Sequence, residues 1–232
     1  MSDIGVDKEK LLGQSLVFQA LDNEGRRRLA AFAHVKRFAA GETIFDMGEP
    51  GSSMMAIAEG TVRVELATSG GKDVILAELR AGDVFGEIAL LDGGDRSASV
   101  RSISNSTLVV LERRVLLDVL QRHPQFSIRL IELLCRRVRR SDERMMEVAF
   151  MDLPQRLARL LLRLSAASPA SAEAPQARLS LSQSELARMI GNTRENVNRC
   201  LRKWQEGGLV ELKDGWLVLQ NRSALSSLAE SE

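Results

Sequence analysis

The sequence has few of the residues from which metal and redox sites are built. Among its 232 residues are 2 Cys and 2 His. Cys135 and Cys200 lie far apart, each inside a helical pattern, and His34 and His123 are isolated. Because no spacing typical of a zinc or iron–sulfur site occurs, we expect no metal site and no structural disulfide.

Long apolar runs and enzyme motifs are also absent. No apolar run approaches the roughly 18 residues that a membrane-spanning helix needs, and residues 157–167 are interrupted by arginines. Residues 1–10 lack the apolar segment of a signal peptide, so we expect a cytoplasmic protein without a membrane partner. Phosphate-loop, zinc-peptidase, nucleophile-elbow and dinucleotide-binding motifs are missing. The sequence therefore predicts a protein that is not an enzyme.

Neither sign of charge dominates the chain. The formal net charge is +1, with 32 Lys and Arg against 31 Asp and Glu. A surface that binds nucleic acid would therefore have to be local. Hydrophobic and charged contents of 44% and 27% are ordinary for a globular protein, and the length suits two domains.

The longest stretch without a turn signal runs from Pro124 to Phe150 and predicts one long helix. Its apolar seam, with Ser141 completing the helical spacing, comprises Leu130, Leu134, Val138, Met145 and Val148. The seam is as narrow as that of a coiled coil. The helix either covers its own domain or forms a dimer. Because it separates a strand-like half from an arginine-rich helical half, we favour a homodimer through residues 124–150.

The first half begins with helical patterns over Lys8–Leu21 and after Asp22, which is a plausible N-cap. From His34, short β-like runs are separated by glycines at strand-plus-turn spacing, which is typical of an antiparallel sandwich or barrel. Residues 69–72 suggest a hairpin turn. Thr107–Glu112 closes the β part, and a short helix precedes Pro124.

The second half begins with a helix at Pro154. Residues 165–177 are rich in Ser, Ala and Pro and predict a loop. The sequence thus predicts three parts: residues 1–123, the helix at 124–150, and residues 151–232.

Residues 179–206 predict a helix-turn-helix. Residues 182–185 form a capping box, Gly191 ends the first helix, and Thr193 caps the second. Two alternating runs around residues 214–215 predict a wing. The candidate DNA-binding residues are Ser182, Gln183, Thr193, Arg194, Glu195, Asn198, Arg199 and Arg202. A helical hairpin with a solvated charged face is the alternative, but caps, turn and wing together favour DNA binding.

Two motifs carry a resemblance to a known family. Residues 84–102, VFGEIALLDGGDRSASVRS, resemble the phosphate-binding cassette of cyclic-nucleotide-binding domains. Residues 192–201, NTRENVNRCL, resemble the recognition helix of catabolite activator proteins, and AFMD at 149–152 matches the family's hinge. The chain resembles the catabolite activator/fumarate–nitrate regulator superfamily in one register over nearly its whole length. This implies an α+β fold with an N-terminal antiparallel, jelly-roll-like β-roll, a long dimerisation helix and a C-terminal winged helix-turn-helix.

The resemblance also implies roles in binding a cyclic nucleotide. Glu87 would accept a hydrogen bond from the ribose 2′-hydroxyl, and Arg96 would pair with the phosphate. The remaining implied ligand residues are Gly86, Ile88 and Ala89 in the turn, Ser97 as an added donor, and Ser141 and Asp142 at the base. The alternative is that Arg96 pairs with Asp92 or Asp95 in a surface loop.

The family implies cAMP as the effector, double-stranded DNA as a partner, and RNA polymerase as a further partner. Asp142 departs from the usual pair of hydroxyls at the base, so cGMP stays open, as does another effector. The alternative for Asp142 is that it turns away from the base and pairs with Arg139 or Arg144 on an exposed helix face. TGTGA-like half-sites would be recognised by Arg194, Glu195 and Arg199. A cyclic-nucleotide regulatory module without DNA binding is the alternative from another class.

Overall fold

The computed structural model describes residues 7–67, 73–167, 178–213 and 215–230. The chain divides into two compact units, one made mainly of residues up to Arg139 and one made mainly of residues from Arg140 onwards. Among the described residues, no helix is long and apolar enough to cross a membrane.

The first unit begins with short helices. Helix α1 spans Lys8–Gly13, a 3-10 turn spans Phe18–Ala20, and α2 spans Asn23–Phe32 with the Asp22 carboxylate accepting from the backbone N–H of Gly25. The predicted single helix over Lys8–Leu21 is therefore wrong. The helix ends at glycine, a poor helix former. The turn that follows lets buried side chains from both sides of the break reach the same core.

In the described part of the first unit, eight strands form two four-stranded sheets, as expected for the predicted antiparallel sandwich or barrel. They are β1 (His34–Phe38), β2 (Thr43–Phe45), β3 (Ser53–Glu59), β4 (Thr61–Ala67), β5 (Asp73–Arg80), β6 (Val84–Phe85), β7 (Ser99–Ser102) and β8 (Ser106–Glu112). One sheet has the order β1-β8-β3-β6 and the other β2-β7-β4-β5. The predicted hairpin turn at 69–72 lies outside the described residues.

Strands β3 and β8 are buried on both faces. Successive residues of a strand point to opposite faces. Met55 and Ile57 therefore join a core of side chains from both sheets, whereas Met54 and Ala56 join a second core under the helices. Helix α3 (Glu87–Asp92) follows β6, and α4 (Arg113–Arg122) follows β8. These two cores fix the turn between β6 and α3, where the candidate ligand residues lie.

Helix α5 spans Pro124–Phe150, as predicted. The structure corrects the start of its seam. Leu130 is 2% exposed within the core of its own unit, whereas Ile131 is 58% exposed. Helical periodicity did not distinguish these neighbours, because only packing against the first unit decides which stripe is covered. Val138, at 59% exposure, continues the exposed stripe.

The second unit contains a helix-turn-helix and a small sheet, as predicted. Its elements are α6 (Leu153–Ala167), β9 (Arg178–Leu179), α7 (Gln183–Ile190), α8 (Arg194–Glu206), β10 (Val210–Lys213), β11 (Trp216–Leu219) and α9 (Arg222–Glu230). The sheet has the order β10-β11-β9. Helix α6 continues through residues 165–167, so the predicted loop is wrong there, and residues 168–177 lie outside the described chain.

Candidate functional sites

The turn between β6 and α3 requires glycine at position 86. Gly86 has φ +79°, in the left-handed region that side chains disfavour. A Cβ there would lie 2.7 Å from Arg96 Nη1. Glycine therefore lets the buried arginine pass directly against the start of α3.

Glu87, the first residue of α3, has a fully buried side chain. Its Oε1 forms an ion pair with Arg137 Nη1 from α5, and Arg137 Nη2 donates to the carbonyl of Val84 at 2.5 Å. Glu87 Oε2 is buried without a hydrogen-bond partner among the described residues. Because a buried carboxylate oxygen without a partner is costly, this atom is an acceptor suited to a ligand donor.

Arg137 was missed in the sequence analysis. Its side chain lies 50 positions from Glu87 in sequence. The only available signal was an arginine on the helix face next to the seam, and several arginines of that helix share this description. The pairing depends on how α3 and α5 pack, which the sequence does not specify.

Arg96 is 6% exposed, and its guanidinium is held by backbone and side chain. Nη1 donates to the carbonyls of Ser53 and Gly86 at 2.7 and 3.0 Å, and Nη2 donates to Ser53 Oγ at 3.0 Å. The guanidinium carbon lies 4.2 Å from the centroid of the Phe45 ring. The alternative of a surface pair with Asp92 or Asp95 is wrong, because Arg96 is buried and engaged elsewhere.

Burial lowers the pKa of Arg96 from its ordinary value, and the negative charges of nearby Glu49, Glu87 and Glu112 oppose that shift. Arginine nevertheless stays protonated at neutral pH. The region therefore combines a buried cation with a buried, incompletely paired carboxylate.

The other predicted ligand residues have unequal surroundings. Ala89 is 1% exposed, and a Cβ at Gly51 would collide with its methyl group at 2.2 Å, so backbone segments approach closely here. Ile88 and Ser97 are exposed. The structure thus brings Gly86, Glu87, Ala89 and Arg96 together and leaves Ile88 and Ser97 at the surface. Ser141 and Asp142 are exposed on α5, four and five residues after Arg137.

The caps of the helix-turn-helix are as predicted. Ser182 Oγ accepts from the backbone N–H of Glu185 at 3.1 Å, and Glu185 Oε2 accepts from the backbone N–H of Ser182 at 3.0 Å. Gly191 ends α7 with φ +64°. Thr193 Oγ1 accepts from the backbone N–H of Asn196 at 3.3 Å. The hydroxyls of Ser182 and Thr193 therefore act as the N-caps of α7 and α8.

Helix α8 has one buried and one exposed face. The buried face comprises Val197, Cys200, Leu201 and Trp204. Burial raises the pKa of the Cys200 thiol to about 11. The exposed predicted contacts are Arg194, Glu195, Arg199 and Arg202, while Asn198 and Gln183 are half-buried. Exposed arginines near a helix N-terminus are the groups that a recognition helix presents to base edges.

Strands β10 and β11 form the predicted wing. Lys213 is paired with Trp216 across the turn, Gly215 has φ +79°, and residue 214 lies outside the described chain. Within the described ranges, no three His, Cys, Asp or Glu side chains group into a metal site. Both cysteines are free thiols.

Comparisons with known proteins agree with both halves of this description. Residues 35–123 match the family of cyclic nucleotide-binding domains, and residues 155–228 match the Crp-like helix-turn-helix domain. The chain is 30% identical to the cyclic AMP receptor protein of Thermus thermophilus over 93% of this chain and 97% of that protein. It is 29% identical to a CRP-like cAMP-activated global transcriptional regulator of Mycobacterium tuberculosis, over 96% of each protein.

Solved structures show the same fold. The c-di-GMP responsive global regulator CLP of Xanthomonas campestris aligns with TM-score 0.77 and 25% identity, covering 85% of this chain and 99% of that one. The catabolite activator protein of Thermus thermophilus aligns with TM-score 0.54 and 30% identity over 92% of this chain and 97% of that one. The chain belongs to the CRP/FNR family, whose members are transcription regulators with a cyclic-nucleotide-binding domain and a DNA-binding helix-turn-helix, not enzymes.

Proposed function

We propose that the protein is a homodimeric, sequence-specific transcription regulator that responds to cAMP and binds pseudo-palindromic, TGTGA-like operators. The single observation that carries the ligand assignment is the buried, unpartnered Glu87 Oε2, which lies in a site that also contains the buried cation of Arg96. A cyclic nucleotide offers both matching groups, a ribose hydroxyl that donates and a phosphate anion.

The residues present fit this ligand. Glu87 Oε2 would accept from the ribose 2′-hydroxyl. Arg96 would pair with the phosphate, and Gly86 and Ala89 would allow its close approach. Ile88 and Ser97 would lie at the edge of the site, with Ser97 as an added donor. When bound, the nucleotide neutralises the buried guanidinium, whose hydrogen bonds now go to Ser53 and Gly86.

The base would contact Ser141 of one subunit and the partner subunit's Asp142. An ionised carboxylate only accepts hydrogen bonds, and guanine offers adjacent N1–H and 2-amino donors. Adenine offers its 6-amino group. Asp142 therefore supports cGMP as the alternative effector. The names of the relatives from Thermus thermophilus and Mycobacterium tuberculosis refer to cAMP, which supports cAMP as the principal proposal.

The exposed stripe on α5 supports the homodimer. Val138, Met145 and Val148 are 59%, 66% and 64% exposed, and apolar residues repeated along one helix face bury their surface when a second helix packs on them. Two subunits would then present two recognition helices to half-sites about 34 Å apart. We propose residues 1–123, 124–150 and 151–232 as the nucleotide-binding, dimerisation and DNA-binding parts.

At each half-site, Arg194, Glu195 and Arg199 would contact base edges. An arginine can make two hydrogen bonds to guanine, and a glutamate can accept from cytosine. The other proposed contacts to the DNA are those of Ser182, Gln183, Thr193, Asn198 and Arg202. RNA polymerase would be the further partner in the cytoplasm.

Calorimetry with cAMP and cGMP tests the ligand assignment, using wild type, Glu87→Gln and the control Glu24→Gln. Glu24 is an exposed residue of α2. We expect wild type and the control to bind cAMP, and Glu87→Gln to bind at least about tenfold more weakly, the loss of one charge-assisted hydrogen bond. Equal cAMP affinity of all three proteins would contradict the role of Glu87.

A mobility-shift assay with a duplex carrying two TGTGA-like half-sites tests DNA binding separately. We expect cAMP to tighten binding to this duplex relative to a scrambled one. If wild type shifts neither duplex with or without cAMP, the regulatory module without DNA binding is the better assignment.

A further inference from the structure

The exposed residues of α5 follow a heptad repeat. Steps of three and four residues alternate along Ile131, Leu134, Val138, Ser141, Met145 and Val148. The Ile131, Val138, Met145 and Val148 side chains are between 58% and 66% exposed, and Leu134 is half-buried. Such alternation defines the a and d positions of a two-stranded coiled coil, with Ile131, Val138 and Met145 at a.

Three charged residues flank this repeat at its e and g positions, namely Arg137, Asp142 and Arg144, and the e residue that would face Arg144 is the uncharged Ala149. Arg137 directly precedes the a residue Val138 and is therefore at g, whereas Asp142 directly follows the d residue Ser141 and is at e. In a parallel two-stranded coiled coil, a g residue lies beside the e residue five positions later on the partner helix. Arg137 of one subunit would thus face Asp142 of the partner subunit, and two-fold symmetry produces two such pairs.

We propose that Arg137 joins carboxylates from two subunits, its own Glu87 and the partner subunit's Asp142, so that the dimer partner helps to set the affinity of each nucleotide pocket. This inference rests on the homodimer proposed above, with its two α5 helices running parallel. In addition to the base contact proposed above, Asp142 then has a positioning role, because it acts on Glu87 through Arg137. A carboxylate has acceptor sites for both Arg137 and a nucleobase, so the pairing is compatible with a base contact.

The geometry of Arg137 allows this double role. A guanidinium has five N–H donors in a planar fork. Arg137 directs Nη1 to Glu87 and Nη2 to the carbonyl of Val84, while about a third of its side chain, 30%, stays exposed. Glu87 is fully buried, and Arg137 supplies its ion-pair partner. A second carboxylate on the exposed side of the guanidinium would hold the Arg137 side chain in place. Because Arg137 is bonded to Glu87, it would thereby also hold the Glu87 carboxylate in position.

Residues on the same helix are weaker partners for Asp142. Arg144 is exposed and lies near other charged groups, Glu147, Arg163 and Arg140. Glu147 already pairs with Arg163, with Oε1 and Nη1 2.5 Å apart. Exposed pairs within one helix also contribute little. The g–e′ position is the one at which dimerisation brings Asp142 beside a partly buried cation.

Sedimentation equilibrium of the full chain at low and high salt tests the pair across the interface. The variants are Asp142→Asn, the conservative Asp142→Glu and the matched control Glu143→Gln, which removes the same charge one residue later on an exposed face. We expect Asp142→Asn to raise the dimer dissociation constant about 3- to 10-fold at low salt, with a smaller effect at high salt. Asp142→Glu should recover most of this loss, and Glu143→Gln should match wild type.

Mixed dimers test whether Asp142 acts on the partner's pocket. Glu87→Ala disables one pocket, and two affinity tags isolate the mixed dimer. In the first dimer, one subunit carries both Glu87→Ala and Asp142→Asn, and the other is wild type. The working pocket is then that of the wild-type subunit, and it faces the substituted position 142 of its partner. In the second dimer, one subunit carries Glu87→Ala and the other carries Asp142→Asn. The working pocket is then that of the Asp142→Asn subunit, and it faces the unchanged Asp142 of its partner. We expect the first dimer to bind cAMP about 3- to 10-fold more weakly than the second.

The outcomes separate this inference from the proposed function. A monomeric wild type overturns both. A dimeric wild type whose two mixed dimers bind cAMP equally, or in which the second binds more weakly, overturns the cross-subunit role and leaves the dimer and the nucleotide site standing. Equal dimer dissociation constants for Asp142→Asn and Glu143→Gln would likewise contradict the ion pair.

Discussion

The candidate nucleotide pocket and the candidate DNA surface hold their arginines in opposite ways. Arg96 is buried, and its guanidinium is already committed to Ser53, Gly86 and the Phe45 ring. Arg194 and Arg199 are exposed on α8. Taking a charge out of water is costly unless partners replace the water, so the buried cation needs partners before any ligand arrives. The exposed ones are solvated until DNA displaces the water.

This difference has consequences for how each region responds to its ligand. A phosphate bound at Arg96, as we propose, would compete with the hydrogen bonds that Arg96 donates to Ser53 and Gly86, so we expect ligand occupancy to change the local structure. DNA bound at the exposed arginines of α8, as we propose, would displace water and counterions instead, so we expect its affinity to depend on the salt concentration. The buried pocket is therefore suited to converting ligand binding into a structural change, and the exposed α8 surface is suited to contacting DNA.

The largest effect is expected from a substitution in the exposed apolar stripe of α5. Val138→Glu places two like charges in the exposed apolar stripe at the proposed interface, which costs about 3 kcal/mol or more and should raise the dimer dissociation constant at least about 100-fold. The control is Met146→Glu, which lies on the same helix and is 56% exposed but is outside the a and d positions of the heptad repeat. Sedimentation should show monomers for the first variant and dimers for the second; dimers in both would place the interface elsewhere.

A pair of glycine variants tests the close packing of the pocket. Gly86 and Gly41 both have positive φ, +79° and +86°, but only at Gly86 does an added Cβ meet Arg96. Each alanine substitution should lower the free energy of unfolding by about 1–2 kcal/mol through backbone strain. Gly86→Ala should in addition weaken cAMP binding at least about tenfold, since displacing Arg96 disturbs charge-assisted hydrogen bonds.

Denaturant unfolding and calorimetry measure the two effects of the glycine variants separately. Equal cAMP affinity of Gly86→Ala and Gly41→Ala would show that Arg96 tolerates the added methyl group, and the pocket would be less closely packed than its contacts indicate.

On α8, Glu195→Ala should relax discrimination at one base pair of each half-site by about 1–3 kcal/mol. Glu206→Ala, at the other end of the same helix, is the charge-matched control and should leave the base preference unchanged. Binding to a set of duplexes with single substitutions gives the readout. If Glu195→Ala retains the base preference of wild type, the proposed docking of α8 is wrong.

The smallest effect concerns the two cysteines. Burial raises the pKa of Cys200 to about 11, whereas Cys135 is exposed. Because the thiolate is the reactive form, a thiol reagent at pH 8 should label Cys135 first and Cys200 only slowly. Folding favours the neutral Cys200 thiol, so this contribution to stability is present at neutral pH and is lost as pH rises towards 11. Comparable labelling rates at pH 8 would contradict this burial.

Local signals in the sequence were sufficient for the DNA-binding part and for the extent of the long helix. The capping box at Ser182, the left-handed Gly191 and the cap at Thr193 each depend on residues within one helical turn, so the sequence alone specifies them. The family resemblance likewise placed Glu87 and Arg96 in one site, where the structure brings them near Gly86.

Tertiary packing decided what local patterns leave open. Leu130 and Ile131 are adjacent and both apolar, and only the core of the first unit determines that the first is covered and the second exposed. The ion pair of Glu87 with Arg137 joins α3 to a distant helix. A buried carboxylate requires a cation, but which of several arginines supplies it depends on the packing of helices and strands, because residues far apart in sequence become neighbours only in the folded chain.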